Sequence, residues 1–219
     1  MYKLVVFDLD GTLANTLSDL ASAVNKALIS ENLPTHRVEA YNHFVGNGID
    51  NLIKQVVGKN CDEQTCKRVK AFFDAYYLEH LCDHTTAYDG MAKLLEQLDT
   101  LKVITAVHSN KPHTFVPEIL QTLYPQHKFA IAWGKQNHYE RKPSAQALNA
   151  MMQKLGVEKD QTLYVGDSDV DVFTAHNAGV KVCGVSWGFR GKAELTNAGA
   201  DFIADTAEEL LDIIVGKYE

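Results

Sequence analysis

VVFDLDGTL, residues 5–13, carries a β-branched apolar run straight into two aspartates, Asp8 and Asp10, one residue apart. The preceding Lys3 extends the run to KLVVF. A short apolar, β-branched segment bounded by turn residues reads as a buried strand. Two like charges at its end need a compensating partner, because a carboxylate taken out of water without one is costly. That partner has to come from the rest of the chain.

Downstream of the strand the period changes. Leu17, Leu20, Ala21, Val24 and Leu28 step by three and four, the mark of an amphipathic helix, with Pro34 beyond its end. Ile49, Leu52, Ile53, Val56 and Val57 repeat the pattern up to Gly58, and Val69, Phe72, Phe73, Tyr76 and Tyr77 do so again. Residues 15–84 therefore read as helical, with no strand signal. After YDG (88–90) helices and strands alternate. A helix carrying Met91, Leu94, Leu95 and Leu98 precedes a strand at 102–107. A helix beginning near Pro112 and a strand at 129–133 follow, then a helix over 144–155. TLYVG (162–166) is a strand, VDVFTAHNAG a helix ended by Gly179, VKVCGV a strand, and 206–215 a last helix. This alternation predicts an α/β fold, a Rossmann-like parallel sheet covered on both faces. The helical block interrupts it after the first strand. The predicted organisation is a core formed by residues 1–14 and 85–219, with an inserted helical cap domain over 15–84.

The totals narrow the functional classes. The 219 residues carry 28 acids against 21 bases, a formal charge of −7. Such a balance gives no overall drive toward nucleic acid or anionic membranes, so affinity for a phosphate has to reside in a local site. The opening MYKLVVFDLDG has too short an apolar run for a secretory signal. No apolar stretch approaches the ~20 residues that span a bilayer. Cys61, Cys66, Cys82 and Cys183 form neither a CxxC pair nor a zinc-finger spacing, and read as free thiols in a reducing cytoplasm. Nine histidines are scattered without ligand spacing, which favours surface and packing roles over zinc.

Ligands of an open parallel sheet bind at the carboxyl ends of its strands. At that edge the predicted strands deliver Asp8 and Asp10, then Ser109 and Asn110, then Asp167, Ser168, Asp169 and Asp171, with Lys142 of ERKPS on an intervening segment. Clustered carboxylates repel. A hard divalent cation with oxygen ligands resolves that repulsion, and magnesium is held typically by a few carboxylates, waters and phosphate oxygens. Asp8, Asp10 and Asp167 therefore suggest a Mg2+ site that presents a phosphate, with Lys142 adding positive charge and Ser109 a hydroxyl donor.

DLDGTLANT, HSNKP, RKPSAQAL and GDSDVDVFTAHNAG occur in this order, and together they resemble the four signature motifs of the haloacid dehalogenase-like hydrolase superfamily, over the whole chain. The resemblance implies roles by position. Asp8 would attack phosphorus and form an aspartyl-phosphate, and Asp10 would protonate the leaving oxygen and then activate water. Asp8 and Asp167 would bind Mg2+ by side chain and Asp10 by its backbone carbonyl. Ser109 and Lys142 would hold the phosphoryl oxygens. Asp171 would orient Lys142 or a metal-bound water. Asn110, apart from the resemblance, reads as hydrogen-bonding the loop rather than the ligand. The aspartate at position 10 favours phosphate chemistry over carbon–halogen or phosphonate cleavage, because such relatives lack it.

FVGNGIDNLI (44–53) places Gly46, Asn47 and Gly48 at a helix start, where exposed amides favour an anion. The fragment resembles the specificity loop of phosphoglycolate phosphatases, as do HSNKP and the WGFRG stretch that holds Arg190. The bland alternative is a turn between two cap helices. Arg190 reads equally as a substrate contact or a solvated loop residue. Lys111 reads as a surface lysine at a helix start, with a substrate contact as the alternative, Asp169 as a solvated loop acid rather than a metal ligand, and the aromatic cluster at 72–77 as cap core. The expectation is a Mg2+-dependent phosphatase for a small phosphorylated metabolite, most specifically 2-phosphoglycolate, as a monomer or homodimer without nucleic-acid or membrane partners. A sugar phosphomutase and a non-catalytic partner-binding relative are the alternatives.

Overall fold

Leu4–Phe7 forms strand β1, and all four side chains are buried. Val5 and Phe7 pack into one apolar cluster, Leu4 and Val6 into another on the opposite face of the sheet. The unbroken apolar run thus reflects a strand covered on both sides. The computed structural model describes residues 1–58 and 62–217.

In chain order β1 is followed by β2 (Ala14–Asn15), α1 (Leu17–Ser30), α2 (Tyr41–Phe44), α3 (Ile49–Val57), α4 (Glu63–Glu79) and β3 (Thr86–Ala87). Then come α5 (Met91–Thr100), β4 (Ile104–Pro112), α6 (Val116–Leu123), β5 (Ile131–Lys135), α7 (Gln146–Leu155) and β6 (Thr162–Gly166). The chain continues through α8 (Asp169–Ala178), β7 (Lys181–Val185), α9 (Gly191–Ala198), β8 (Phe202–Ala204) and α10 (Ala207–Val215). Six strands form one sheet in the order β5-β4-β1-β6-β7-β8, all parallel. Phe7 pairs with Val107 of β4 on one side and Val165 of β6 on the other. The strand order reverses at β1, and the crevice outside its carboxyl end is where an open α/β sheet takes ligands. Asp8 is the first residue into that crevice.

Helices α1–α4 occupy the stretch between β2 and β3, which pair antiparallel with Ala14 opposite Ala87 and Asn15 opposite Thr86. The chain therefore leaves the sheet and returns to it side by side. Asp19 of α1, almost fully buried, reinforces the junction. Its carboxylate accepts from the His84 amide at 3.0 Å and the Thr85 hydroxyl at 2.7 Å. The helical period holds: Leu20, Ala21, Val24 and Leu28 of α1, Leu52, Ile53 and Val56 of α3, and Val69, Phe73 and Tyr77 of α4 are buried. Among the described residues no helix is long and apolar enough to cross a membrane.

The departures from expectation are local. Strand β4 does not stop at 107 but runs to Pro112, still paired to β5 across a register shift. The polar residues His108, Ser109, Asn110 and Lys111 are all buried in it. The helix expected near Pro112 starts at Val116, after a short 3-10 turn over His113–Phe115. Strands β2, β3 and β8 span two or three residues each, too few for an alternation pattern. Helix α9 buries only Leu195 and so carries no apolar stripe. Cys82 and Cys183 are free thiols, whereas Cys66 is disulfide-bonded, against the expectation from spacing. Cys61 lies outside the described residues.

Candidate active site

The sheet delivers Asp8 by continuing the β1 pairing one step, with the Asp8 amide donating to the Val165 carbonyl at 2.8 Å. The chain then folds tightly: the Leu9 carbonyl accepts from the amides of Thr12, Leu13 and Ala14. Gly11 is required here. Its φ of +88° lies in the left-handed region, and a Cβ would stand 2.3 Å from Asp167 Oδ2. Gly188 is equally hemmed in, since a Cβ would meet Asp167 Cβ at 2.2 Å. Backbone from two loops thus packs directly on Asp167, whose Oδ2 accepts from the Phe189 amide at 2.7 Å.

Lys142 lies between two acids. Its ammonium is 2.9 Å from Asp8 Oδ1 and 2.6 Å from Asp171 Oδ1. Asp171 uses its other oxygen to accept from the Ser168 amide at 3.1 Å and hydroxyl at 2.7 Å, closing a capping box at the start of α8. Asn110 fixes the Lys142 backbone: its Oδ1 accepts from the Lys142 amide at 2.8 Å and its Nδ2 donates to the Lys142 carbonyl at 3.3 Å. The same Nδ2 donates to the Gly46 carbonyl at 3.0 Å.

Burial dominates the electrostatics. It lifts the Asp8 carboxyl to about 7, with Asp171 and Asp10 adding to the rise and Lys142 opposing it. Burial, reinforced by Asp171 and Asp8, also holds Asp167 well above the usual carboxylate range. Burial alone would lower Lys142, but Asp171 and Asp8 outweigh it and the ammonium is held well above its ordinary value. His108, behind Ser109, is driven by burial and by Lys142 down to about 3 and is neutral.

Asp8, Asp167 and Asp171 each bring a carboxylate oxygen within 4.8 Å of the others. Crowded hard-oxygen donors, two of them resisting ionisation, fit a small divalent cation such as Mg2+. The Asp10 carboxylate is outside this group. Its Oδ1 accepts from the Thr16 hydroxyl at 2.6 Å and from the Lys111 ammonium at 3.0 Å. Beside Asp8 and Asp10 opens a cavity of about 30 Å3. Ser109, Asn110 and Lys111 line it from β4, Gly46 and Gly48 from the loop ahead of α3, and Leu20, Val45, Ile49 and Leu52 supply apolar walls.

A family model described as haloacid dehalogenase-like hydrolase matches residues 5–185. The chain belongs to that family. Phosphoglycolate phosphatases from Haemophilus influenzae strain 86-028NP and Mannheimia succiniciproducens are 36% and 34% identical to it, each covering 97% of this chain and 98% of the relative. The solved structure of a predicted phosphoglycolate phosphatase from Haemophilus somnus 129pt superposes with a TM-score of 0.91 at 36% identity, covering 97% of both chains.

In this haloacid dehalogenase-like hydrolase the structure brings Asp8, Asp10, Ser109, Asn110, Lys142, Asp167 and Asp171 to one strand edge. Gly46 and Gly48 both shape the turn between α2 and α3 and line the cavity. Asn47 and Arg190 do not line it. The Asn47 carbonyl accepts from Arg141 and Asn51 at 3.1 Å each. Arg190 reaches across from the start of α9 and donates to the carbonyls of His43 (3.3 Å) and Val45 (3.1 Å), with Glu194 3.8 Å away. It is neither solvated nor in the cavity wall. Asp169 stands outside the carboxylate cluster as the first residue of α8.

Lys111 needs correction. It is a buried strand residue rather than a surface one, because β4 runs five residues further than its apolar run. Tyr77 is buried, as expected of cap core, yet its hydroxyl accepts from Lys111 at 2.8 Å. A threonine ahead of a helix signals only a cap, but the Thr16 side chain makes no cap bond and donates to Asp10 instead. Arg141, next to Lys142, carries no motif of its own, yet it reaches the Asn47 carbonyl.

Proposed function

We propose that this chain is a Mg2+-dependent phosphatase that cleaves a small phosphomonoester, 2-phosphoglycolate foremost, through an aspartyl-phosphate on Asp8. The observation that carries this reading is the Asp8 carboxylate paired with Lys142 and set beside Asp10 at the edge of a cavity of about 30 Å3. The names of the relatives support the substrate class.

The chain's residues divide the work as follows. An Asp8 oxygen bonds to phosphorus as the bond from phosphorus to the leaving oxygen breaks, and Asp10 gives its proton to that oxygen. A water oxygen then bonds to phosphorus, the Asp8–phosphorus link breaks, and Asp10 takes the water proton. Lys142 neutralises phosphoryl charge that Asp8 alone would repel. The Ser109 hydroxyl oxygen already accepts from the Lys111 amide at 3.2 Å, leaving its proton for a phosphoryl oxygen. Asp8 and Asp167, with the Asp10 carbonyl, would hold Mg2+, which when bound offsets the combined negative charge of carboxylates and phosphoryl group. Residues 15–84 form a cap in this reading, and the β2–β3 pair is the joint about which it opens.

The cavity favours a phosphatase over a sugar phosphomutase. Four of its walls are apolar, and a hexose would have few groups there to bind its hydroxyls. Incubation with Mg2+ and a panel containing 2-phosphoglycolate, ethyl phosphate, hexose phosphates and an aryl phosphate should release inorganic phosphate, fastest from the first. Asp8→Asn should abolish release. An isomerised sugar phosphate without free phosphate would establish the mutase instead.

A further inference from the structure

Three charged residues line the cavity: Asp8, Asp10 and Lys111. Lys111 is the lone cation among them. An ammonium has three protons to donate. One goes to the Tyr77 hydroxyl at 2.8 Å and one to Asp10 Oδ1 at 3.0 Å, and among the described residues the third has no partner. The charge also rests over the Tyr77 ring, 4.7 Å from its centre. Tyr77 comes from α4, Asp10 from the loop after β1 and Lys111 from β4, so three separate parts of the fold hold this one nitrogen in place.

Its location relative to the reaction is specific. Asp10 serves the leaving oxygen of the ester, so that oxygen lies at the Asp10 carboxyl. The Lys111 nitrogen is 3.0 Å from the same carboxyl. Whatever is bonded to the leaving oxygen through one carbon therefore enters the neighbourhood of Lys111. Around it stand Leu20, Val45, Ile49 and Leu52, which offer no charge compensation. An anionic group placed among them needs a cation to offset its desolvation, whereas a hydroxyl or methyl terminus does not.

We infer that Lys111 is the specificity residue of this site: its free donor takes the carboxylate of a phosphorylated 2-hydroxy acid. The inference rests on the phosphatase reading and deepens it. The competing role is purely internal, with Lys111 serving only to hold Asp10 and Tyr77. The two roles differ in what they predict for substrates that share the phosphate but not the carboxylate.

The test compares kcat/KM for 2-phosphoglycolate and ethyl phosphate in the wild type and in Lys111→Met and Lys111→Gln, each checked for folding by its thermal transition. Loss of support for Asp10 depresses both substrates. Loss of the carboxylate partner depresses 2-phosphoglycolate further, so the ratio of the two values should fall roughly 10- to 100-fold, the range of a charge-assisted hydrogen bond. An unchanged ratio overturns the inference and leaves the internal role. A measurement on the wild type alone guards against variants that do not fold. The amide of 2-phosphoglycolate, nearly the same shape without the charge, should be cleaved at least tenfold less efficiently than the acid. Equal efficiency overturns the inference as well. If the wild type hydrolyses no phosphate ester at all, the proposed function fails first, which is a different result.

Discussion

The Lys142 ammonium stands 2.9 Å from Asp8 Oδ1, both groups buried, at the carboxyl end of the central strand. With Asp8 as the proposed nucleophile, a cation fixed this close to it would be preorganised for charge that develops as phosphorus is attacked, and such groups act mainly on the transition state.

Lys142→Ala should therefore lower kcat by about 100- to 1,000-fold while changing KM less than tenfold. The substitution also strands two buried carboxylates and costs stability, about 3 kcal/mol or more. The comparison should accordingly be made at a temperature where circular dichroism shows the variant folded. A variant with normal turnover and only a raised KM would assign Lys142 to ground-state binding instead.

Proton linkage predicts how Mg2+ binding depends on pH. Asp8 is raised from the ordinary carboxylate value near 3.8 to about 7, and Asp167 is raised in the same direction. Between those limits the folded, metal-free protein holds more protons on these groups than the unfolded chain does. Their contribution to stability is therefore full at low pH and lost as pH rises through about 7. His108, lowered to about 3, works in the opposite sense, its contribution being lost as pH falls below its ordinary value of 6.5. The added stabilisation by Mg2+ separates the two, because a cation competes with protons on Asp8 and Asp167 but not on His108. The rise in Tm on replacing chelator with Mg2+ should be several degrees larger at pH 8 than at pH 5. Equal increments at both values would show that these carboxylates do not bind the ion.

The legible and the hidden parts of the molecule follow from what each residue answers to. Asp8, Ser109 and Asp167 are legible because the parallel sheet sends every strand end to one edge, a rule that period reveals, whereas Lys142, on a segment between strands, is legible through the motif it belongs to. The long helices showed themselves through repeated burial of one face. The contacts of Lys111, Tyr77 and Arg190 are hidden because their partners are far away in sequence: Asp10 is 101 residues from Lys111, and the Val45 carbonyl 145 from Arg190. A polar residue that ends a strand looks like the start of a loop until its buried partner is known, which is why β4 read short.

The last prediction concerns the grip on the loop carrying Gly46 and Gly48. Arg190, Arg141 and Asn110 donate to the backbone carbonyls of His43, Val45, Asn47 and Gly46. Because the acceptors are carbonyls, the geometry of this segment depends mainly on these three donors, with Asn51 of α3 adding a bond to the Asn47 carbonyl. Arg190→Met keeps an apolar stem of similar reach and removes two of these bonds. A guanidinium bond to a carbonyl contributes about 1.5 kcal/mol or more, so the loop should spend more time away from the cavity. KM for 2-phosphoglycolate should rise about tenfold, with kcat changed less. Amide hydrogen exchange at Gly46 and Gly48 should quicken by a similar factor, while exchange in β1 and β6 stays as it was. If KM and loop exchange both keep their wild-type values, Arg190 contributes nothing to closure, and the hold belongs to Asn110 and Arg141.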